Sequence, residues 1–313
     1  MIPLVIDTDP GVDDAVALLV ALGSPEVDLR AVTTVFGNVD LATTTVNAQR
    51  LLALAGRVDV PVGVGADRPL VHPQPYRAAE WHGDDGLGGH ADTLPPPAAA
   101  PVPGGAVELI ASVLRVSDTP VTIAAVGPLT NIALLLAVHP ELAGRIGRLV
   151  VMGGALNGGN TTAAAEFNIW SDPEAARRVL VEEALPTTLV PLDLTGDSWV
   201  DGTWLDALAA GGARGATLAA IIEHYRARYR DFYGRDGVVL HDALAVLEAV
   251  VPGTLRTTPL LLDVVCDHGP ARGSVIADRR GSGARATGRF VDVALDADLD
   301  AVRADILRRL ATA

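Results

Sequence analysis

The 313-residue chain contains one cysteine, so no internal disulfide can staple it and a reducing compartment fits. That residue, Cys266, closes the apolar run 260–265, where a buried, inert thiol is expected. Positive charge is also scarce. The 24 basic residues against 38 acidic ones leave a net charge of -14, which repels phosphate backbones and anionic lipid surfaces. A nucleic-acid polymer is therefore not an expected partner. No apolar run approaches the length that spans a bilayer, and no basic start with a cleavage-site pattern precedes Asp7. A soluble cytoplasmic protein without membrane association is expected. No linker-like stretch enforces a division, so residues 1–313 are expected to form one large domain with ample length for a core. Gly63-Val64-Gly65 lacks the third glycine of a dinucleotide fingerprint, Arg68 standing in its place, so no such cofactor is assigned.

What the chain does have is concentrated at its start. The apolar residues Leu4, Val5 and Ile6 suit a buried strand, Pro10-Gly11 signals a turn, and residues 12–22 carry helix formers with apolar side chains on more than one face. Between strand and helix stand Asp7, Asp9, Asp13 and Asp14. One such residue could cap a helix or satisfy turn donors. Four in eight positions repel one another, and a cation relieves that cost most simply. A carboxylate cluster without Cys or His favours Ca2+ or Mg2+ over zinc. It is not an EF-hand, because the sixth and twelfth positions from Asp7 hold Val12 and Leu18.

Strand and helix patterns then alternate, as in an α/β fold. Residues 29–35 read as a strand followed by Asn38, which suits either a turn or the same sheet edge as the carboxylates. After a helix over 41–55 and a short strand over 60–64, residues 76–97 break the pattern. This glycine-rich, aromatic stretch holds Trp81 and His82 and reads as a mobile loop, its histidine solvated unless something else recruits it. The Pro/Ala-rich segment that follows reads as a surface connection. A strand over 121–125 leads into Val126-Gly127-Pro128-Leu129-Thr130-Asn131, whose carbonyls could complete a hard-cation site. Beyond the next strand lie Met152-Gly153-Gly154, Asn160, and Glu166-Phe167-Asn168. In an extended segment Glu166 and Asn168 would point to one side, as two sugar hydroxyls require. A strand over 187–192 precedes a helix over 215–233 that carries Tyr225, Tyr229 and Tyr233 in one stripe, a pattern that suits packing more readily than recognition. His241-Asp242 opens a further helix, where the pair could serve only as a cap.

Taken in order, the Asp-Thr-Asp-Pro-Gly-Val-Asp-Asp start, Asn38, the Gly-Pro-Leu-Thr-Asn turn, Met152-Gly-Gly, Glu-Phe-Asn-Ile and His241-Asp242 resemble the inosine-uridine-preferring nucleoside hydrolase family. The resemblance runs to about residue 250. It implies an open, mostly parallel, Rossmann-like sheet flanked by helices, with the active site at the carboxyl ends of the strands, a bound Ca2+, and a homo-dimer or homo-tetramer. It also implies a small ribonucleoside substrate, cleaved at its N-glycosidic bond in nucleoside salvage. Carried over, the metal ligands fall on Asp9, Asp14, the carbonyl of Val126, and Asp242, with Asp9 also the general base. Asp13 and Asn168 would hold the 2′-hydroxyl side, Asp242 the 3′ side, and Asn160 with Glu166 the 5′-hydroxyl. Met152 and Asn38 would line the pocket, and His241 would serve the leaving base. His82, Tyr225 and Tyr229 would close over that base. Two other classes share some features: a haloacid-dehalogenase-type phosphatase, which expects Gly-Thr where Pro10-Gly11 stands, and a non-catalytic Ca2+-dependent nucleoside binder.

Overall fold

The computed structural model describes residues 1–73, 76–280 and 287–311. The strands are β1 (Ile2–Thr8), β2 (Val27–Thr34), β3 (Val62–Val64), β4 (Val121–Ala125), β5 (Ile146–Met152), β6 (Thr187–Val190), β7 (Trp199–Val200), β8 (Val238–Val239), β9 (Leu255–Val264), β10 (Val275–Asp278) and β11 (Arg289–Ala297). Nine of them form one sheet in the order β10-β9-β11-β6-β5-β4-β1-β2-β3. The seven strands from β11 to β3 run parallel, while β9 pairs antiparallel with both β10 and β11. The chain thus folds as the expected single α/β domain with a mostly parallel sheet.

The parallel strands are covered on both faces, which is why they read as apolar runs rather than alternating ones. In β1, Leu4 and Ile6 enter one core and Val5 the other. The first core is built largely from the helices Val12–Leu22, Ala213–Tyr233, His241–Val250 and Leu299–Leu310, and the second from Gly105–Val116 and Thr130–Val138. The helix Val12–Leu22 is buried almost all round, as its apolar pattern anticipates. The chain winds from β1 outward to β2 and β3, then returns to place β4 on the other side of β1. That reversal opens a crevice beyond the carboxyl ends of β1 and β4, the position where doubly wound sheets bind ligands.

Several local expectations change. The strand read over 187–192 stops at Val190, because Pro191 has no N–H to continue the ladder and a short helix, Leu192–Thr195, follows. Ahead of the helix that His241 opens, β8 forms a separate two-stranded pairing, antiparallel with β7. Cys266 is half-buried rather than buried. Its Sγ donates to the Pro173 carbonyl at 3.4 Å, and burial pushes the thiol up to about 11, which favours the protonated form. Among the described residues no helix is long and apolar enough to cross a membrane.

Candidate active site

The turn after β1 is held rigid by its own polar groups. Asp14 accepts from the Thr8 hydroxyl at 2.5 Å through Oδ1, and from the Gly11 N–H at 2.9 Å and Asn38 Nδ2 at 3.1 Å through Oδ2. Asp9 Oδ2 accepts from the Asn38 N–H at 2.8 Å, whereas its buried Oδ1 has no partner among the described residues. Glycine is required on both sides of this carboxylate. A Cβ at Gly37 would lie 1.9 Å from Asp9 Oδ2, and one at Gly127 would lie 2.5 Å from Oδ1. Asp7 faces away from the cluster: its Oδ1 accepts from Thr33 Oγ1 at 2.5 Å and from Asn131 Nδ2 at 2.8 Å. The asparagine of the Gly-Pro-Leu-Thr-Asn turn is therefore a strut, since its Nδ2 also donates to the Thr34 carbonyl at 3.0 Å.

Asp242 comes to this turn from the other end of the chain. Its helix is tied to the sheet by Arg148 of β5, which pairs with the Glu248 carboxylate and donates to the Glu248 carbonyl at 2.8 Å. Asp13, Asp14 and Asp242 each offer an oxygen, and these atoms lie within 4.8 Å of one another. Asp9 stands outside that trio, below a cavity of about 760 Å³ whose walls include Asp13, Asn38, His82, Val126, Met152, Asn160, Glu166, Asn168, Tyr225, Tyr229, His241 and Asp242. The sequence-derived candidates thus converge on one pocket, with Asp9 and Asp14 buried beneath it.

At one end, the segment expected to be extended is helical. Glu166 caps the helix Phe167–Ser171, accepting from Asn168 N at 2.9 Å and Ile169 N at 3.3 Å, while Oε2 also accepts from Gly154 N at 2.8 Å. Capping chemistry outweighs the alternating pattern, because a buried helix start must satisfy its N–H groups. Asn168 still faces the cavity, and its Nδ2 donates to the Val126 carbonyl at 2.8 Å and the Met152 carbonyl at 3.2 Å. Asn160 Oδ1 accepts from the Phe167 N–H at 3.0 Å.

Against the acidic turn lies an aromatic and imidazole chain, His82 Nδ1 standing 3.8 Å from Asp13 Oδ1. His82 is buried, its Nδ1 accepting from the Val12 N–H at 3.1 Å and its ring stacked on Tyr225 at 5.3 Å. His241 sits between two hydroxyls, with Nδ1 2.9 Å from Thr195 Oγ1 and Nε2 3.1 Å from the Tyr229 hydroxyl. The Tyr229 hydroxyl lies 3.4 Å from that of Tyr225. Burial holds both imidazoles down to about 4, so both are neutral near pH 7. The tyrosine stripe therefore packs and lines the site at once. Sequence reading missed Trp199, Phe232 and Arg235, which line the cavity, and Thr195, which contacts His241 from behind it; only Tyr233 of the stripe pointed towards them.

Charge decides what else the pocket accepts. Burial, and then repulsion from neighbouring carboxylates, raises Asp9 and Asp242 well above the ordinary carboxylate range and Asp14 to about 6; burial alone raises Asp13 to about 6. No Lys or Arg among the described residues pairs with Asp9, Asp13, Asp14 or Asp242. A cation fits this arrangement: the donors are oxygens, one buried oxygen is orphaned, and a positive ion would let the carboxylates ionise together.

The loop expected to be mobile and near a site lies folded against it. It contains the helix Ala79–His82 and a 3-10 turn, Ala91–Thr93. Asp85 gathers it: Oδ1 accepts from Leu87 N at 2.9 Å and Gly89 N at 2.8 Å, and Oδ2 from Ala91 N at 2.9 Å. Asn47, fully buried, then donates to both the Asp85 carbonyl at 2.8 Å and the Pro10 carbonyl at 3.1 Å, joining loop to acidic turn. Replacing Asp85 by Ala removes three charge-assisted bonds at once. Hydrogen exchange at the Leu87, Gly89 and Ala91 amides is expected to accelerate by about 10-fold or more while β1 stays protected. Unchanged exchange at those amides would show that packing alone orders the loop.

A buried acidic cluster under an aromatic pocket, at the switch point of a doubly wound sheet, defines a class of small-ligand α/β enzymes. Residues 4–304 match the family described as inosine-uridine preferring nucleoside hydrolase, and the chain belongs to that family. Over 279 residues, 88% of either chain, it is 39% identical to the pyrimidine-specific ribonucleoside hydrolase RihA of Salmonella agona. Among solved structures, it resembles the plant nucleoside hydrolase PpNRh1 with a TM-score of 0.92 and 33% identity, covering 98% of each chain. It also resembles a purine-preferring ribonucleoside hydrolase from Gardnerella vaginalis with a TM-score of 0.91 and 31% identity, covering 99% of this chain and 98% of that one. The protein is thus a nucleoside hydrolase, and the phosphatase and binding-protein alternatives fall away.

Proposed function

We propose that this enzyme uses Ca2+ to hydrolyse the N-glycosidic bond of ribonucleosides, uridine and inosine included, to ribose and free base in nucleoside salvage. The observation that carries this reading is the lining of the cavity, where carboxylates stand directly beside neutral hydrogen-bonding rings, His82 Nδ1 lying 3.8 Å from Asp13 Oδ1. Cleavage develops positive charge on the ribosyl ring and negative charge on the base. Asp13, Asp242 and Glu166 lie where they can favour the first, and the His241–Tyr229 pair where it can favour the second.

Asp9, Asp14, the Val126 carbonyl and Asp242 would hold the ion, with Asp13 close enough to share in it. Bound there, a divalent cation supplies Lewis acidity towards water and the ribose hydroxyls. Asp9 Oδ1, without a partner, is the base that takes the proton of the attacking water. Asp13 and Asn168 orient the 2′-hydroxyl, Asp242 the 3′-hydroxyl, and Asn160 with Glu166 the 5′-hydroxyl. Asn38 braces the floor by bonding Asp9 and Asp14 together, and Met152 forms part of the wall. As the C1′–N bond breaks and the water oxygen bonds C1′, the bond's electron pair passes to the base, which takes a proton relayed from solvent along the His241–Tyr229 pair while the water's proton stays on Asp9. His82 and Tyr225 support the base from the stacked side.

The test is chromatography of a nucleoside panel after incubation, with and without chelator and restored Ca2+. Uridine and inosine are expected to yield free base, the chelator to abolish it, and Ca2+ to restore it. 2′-Deoxyuridine is expected to react about 10²-fold or more slowly, because buried partners of the missing hydroxyl would be left unpaired. Equal kcat/KM for uridine and 2′-deoxyuridine would remove Asp13 and Asn168 from the 2′ position.

A further inference from the structure

Among the described residues, Arg235 is the only lysine or arginine lining the cavity. Its guanidinium lies 4.1 Å from the centroid of the Trp199 ring, and Trp199 packs edge-on against Tyr229 at 5.5 Å. The neighbouring acid cannot neutralise it. Asp236 is already held by Arg226 and Arg230, each at 2.8 Å, and among the described residues Arg235 has no ion pair. Gly237 keeps this turn close to the wall: its φ is +135°, and a Cβ there would lie 2.6 Å from Trp199 Nε1. The turn thus presents a planar, charged, donor-only group over an aromatic wall.

Its place along the cavity says what it can read. Exposure rises outward from buried Tyr225 and Tyr229, past half-buried His241, to Phe232, Tyr233 and Arg235 at the mouth. With the glycosidic bond beside His241, as the proposed function requires, the edge of the base remote from ribose points outward to Arg235. That edge carries a carbonyl oxygen in uridine and inosine, and an amino group in cytidine and adenosine. We propose that Arg235 is a specificity-determining residue that donates to this carbonyl oxygen and favours oxo-bases over amino-bases. A guanidinium has only donors, so it pairs with the oxygen and opposes the amino group. The same bond strengthens as the C1′–N electron pair delocalises onto that oxygen, which favours departure of the base.

The experiment measures kcat/KM for uridine, cytidine, inosine and adenosine with the Ca2+-loaded parent, Arg235→Met and Asp9→Asn. Methionine keeps Trp199 covered but removes the donors, and the exposed position gives it little reason to disturb folding. The expected result is a fall of about 10-fold for uridine and inosine, the order contributed by one hydrogen bond from a charged donor, with cytidine and adenosine nearly unchanged. Equal losses on all four nucleosides would make Arg235 a wall residue only, and an unchanged oxo-to-amino ratio would overturn the assignment. Asp9→Asn separates the two levels. If it is inactive while the Arg235→Met ratio stays at the parent value, only the base-reading inference fails; if it turns over at the parent rate, the orientation from which that inference starts fails with it.

Discussion

Asp9→Asn is expected to fold normally and to lose turnover by about 10²–10⁴-fold, the range general-base catalysis contributes. The substitution is close to isosteric. Its carbonyl can still accept from the Asn38 N–H, and an amide of the same outline fits between Gly37 and Gly127, where the space for any larger group is absent. What it cannot do is accept a proton at the position of Oδ1, a buried oxygen without a partner among the described residues. Every substrate needs an activated water, so natural nucleosides and p-nitrophenyl riboside should lose rate together. The measurement is kcat on both substrates, with melting temperature and bound metal determined on the same sample. A stable, metal-containing Asp9→Asn enzyme working at the parent rate would remove Asp9 from the role of base.

His241→Ala is expected to give the opposite pattern: a loss of about 10²–10⁴-fold on inosine or uridine, with p-nitrophenyl riboside nearly untouched. A natural base is a poor leaving group as an anion and needs a proton; nitrophenolate does not. Burial pushes His241 down to about 4, so its expected role is that of one member of a hydrogen-bonded chain rather than a standing imidazolium. Thr195 and Tyr229 occupy its two nitrogens at 2.9 and 3.1 Å, and Tyr225 extends the chain from Tyr229. The adjacent Asp242 lies with Asp13 and Asp14, so in the proposed mechanism one helix start would serve both ends of the scissile bond. His82 stands on the other side of Tyr225 and could sustain part of the rate in the variant. Equal losses of kcat on both substrates would assign His241 to positioning or stability instead.

The first strand, the turn that follows it and the helix Val12–Leu22 were legible in the sequence because their information is local. An apolar run, a Pro-Gly turn and a helix start occupy neighbouring positions, and carboxylates placed between them must lie at the sheet's carboxyl edge. The ordered motifs carried the fold and the family. They could not specify contacts that depend on distant chain segments. Asp242 joins Asp13 and Asp14 only because its helix packs on Val12–Leu22 and is anchored by Arg148. Glu166 and Asn168 were expected on an extended segment, yet the need to satisfy a buried helix start made Glu166 a cap. A glycine-rich composition pointed to a mobile loop, but composition does not reveal that Asp85 gathers three amides and Asn47 ties them to Pro10. The sequence by itself determined which chemical groups are available and which sheet edge carries the acids. Tertiary structure alone decided which of them share one pocket, because burial and hydrogen-bond partners are set by segments far apart in the chain.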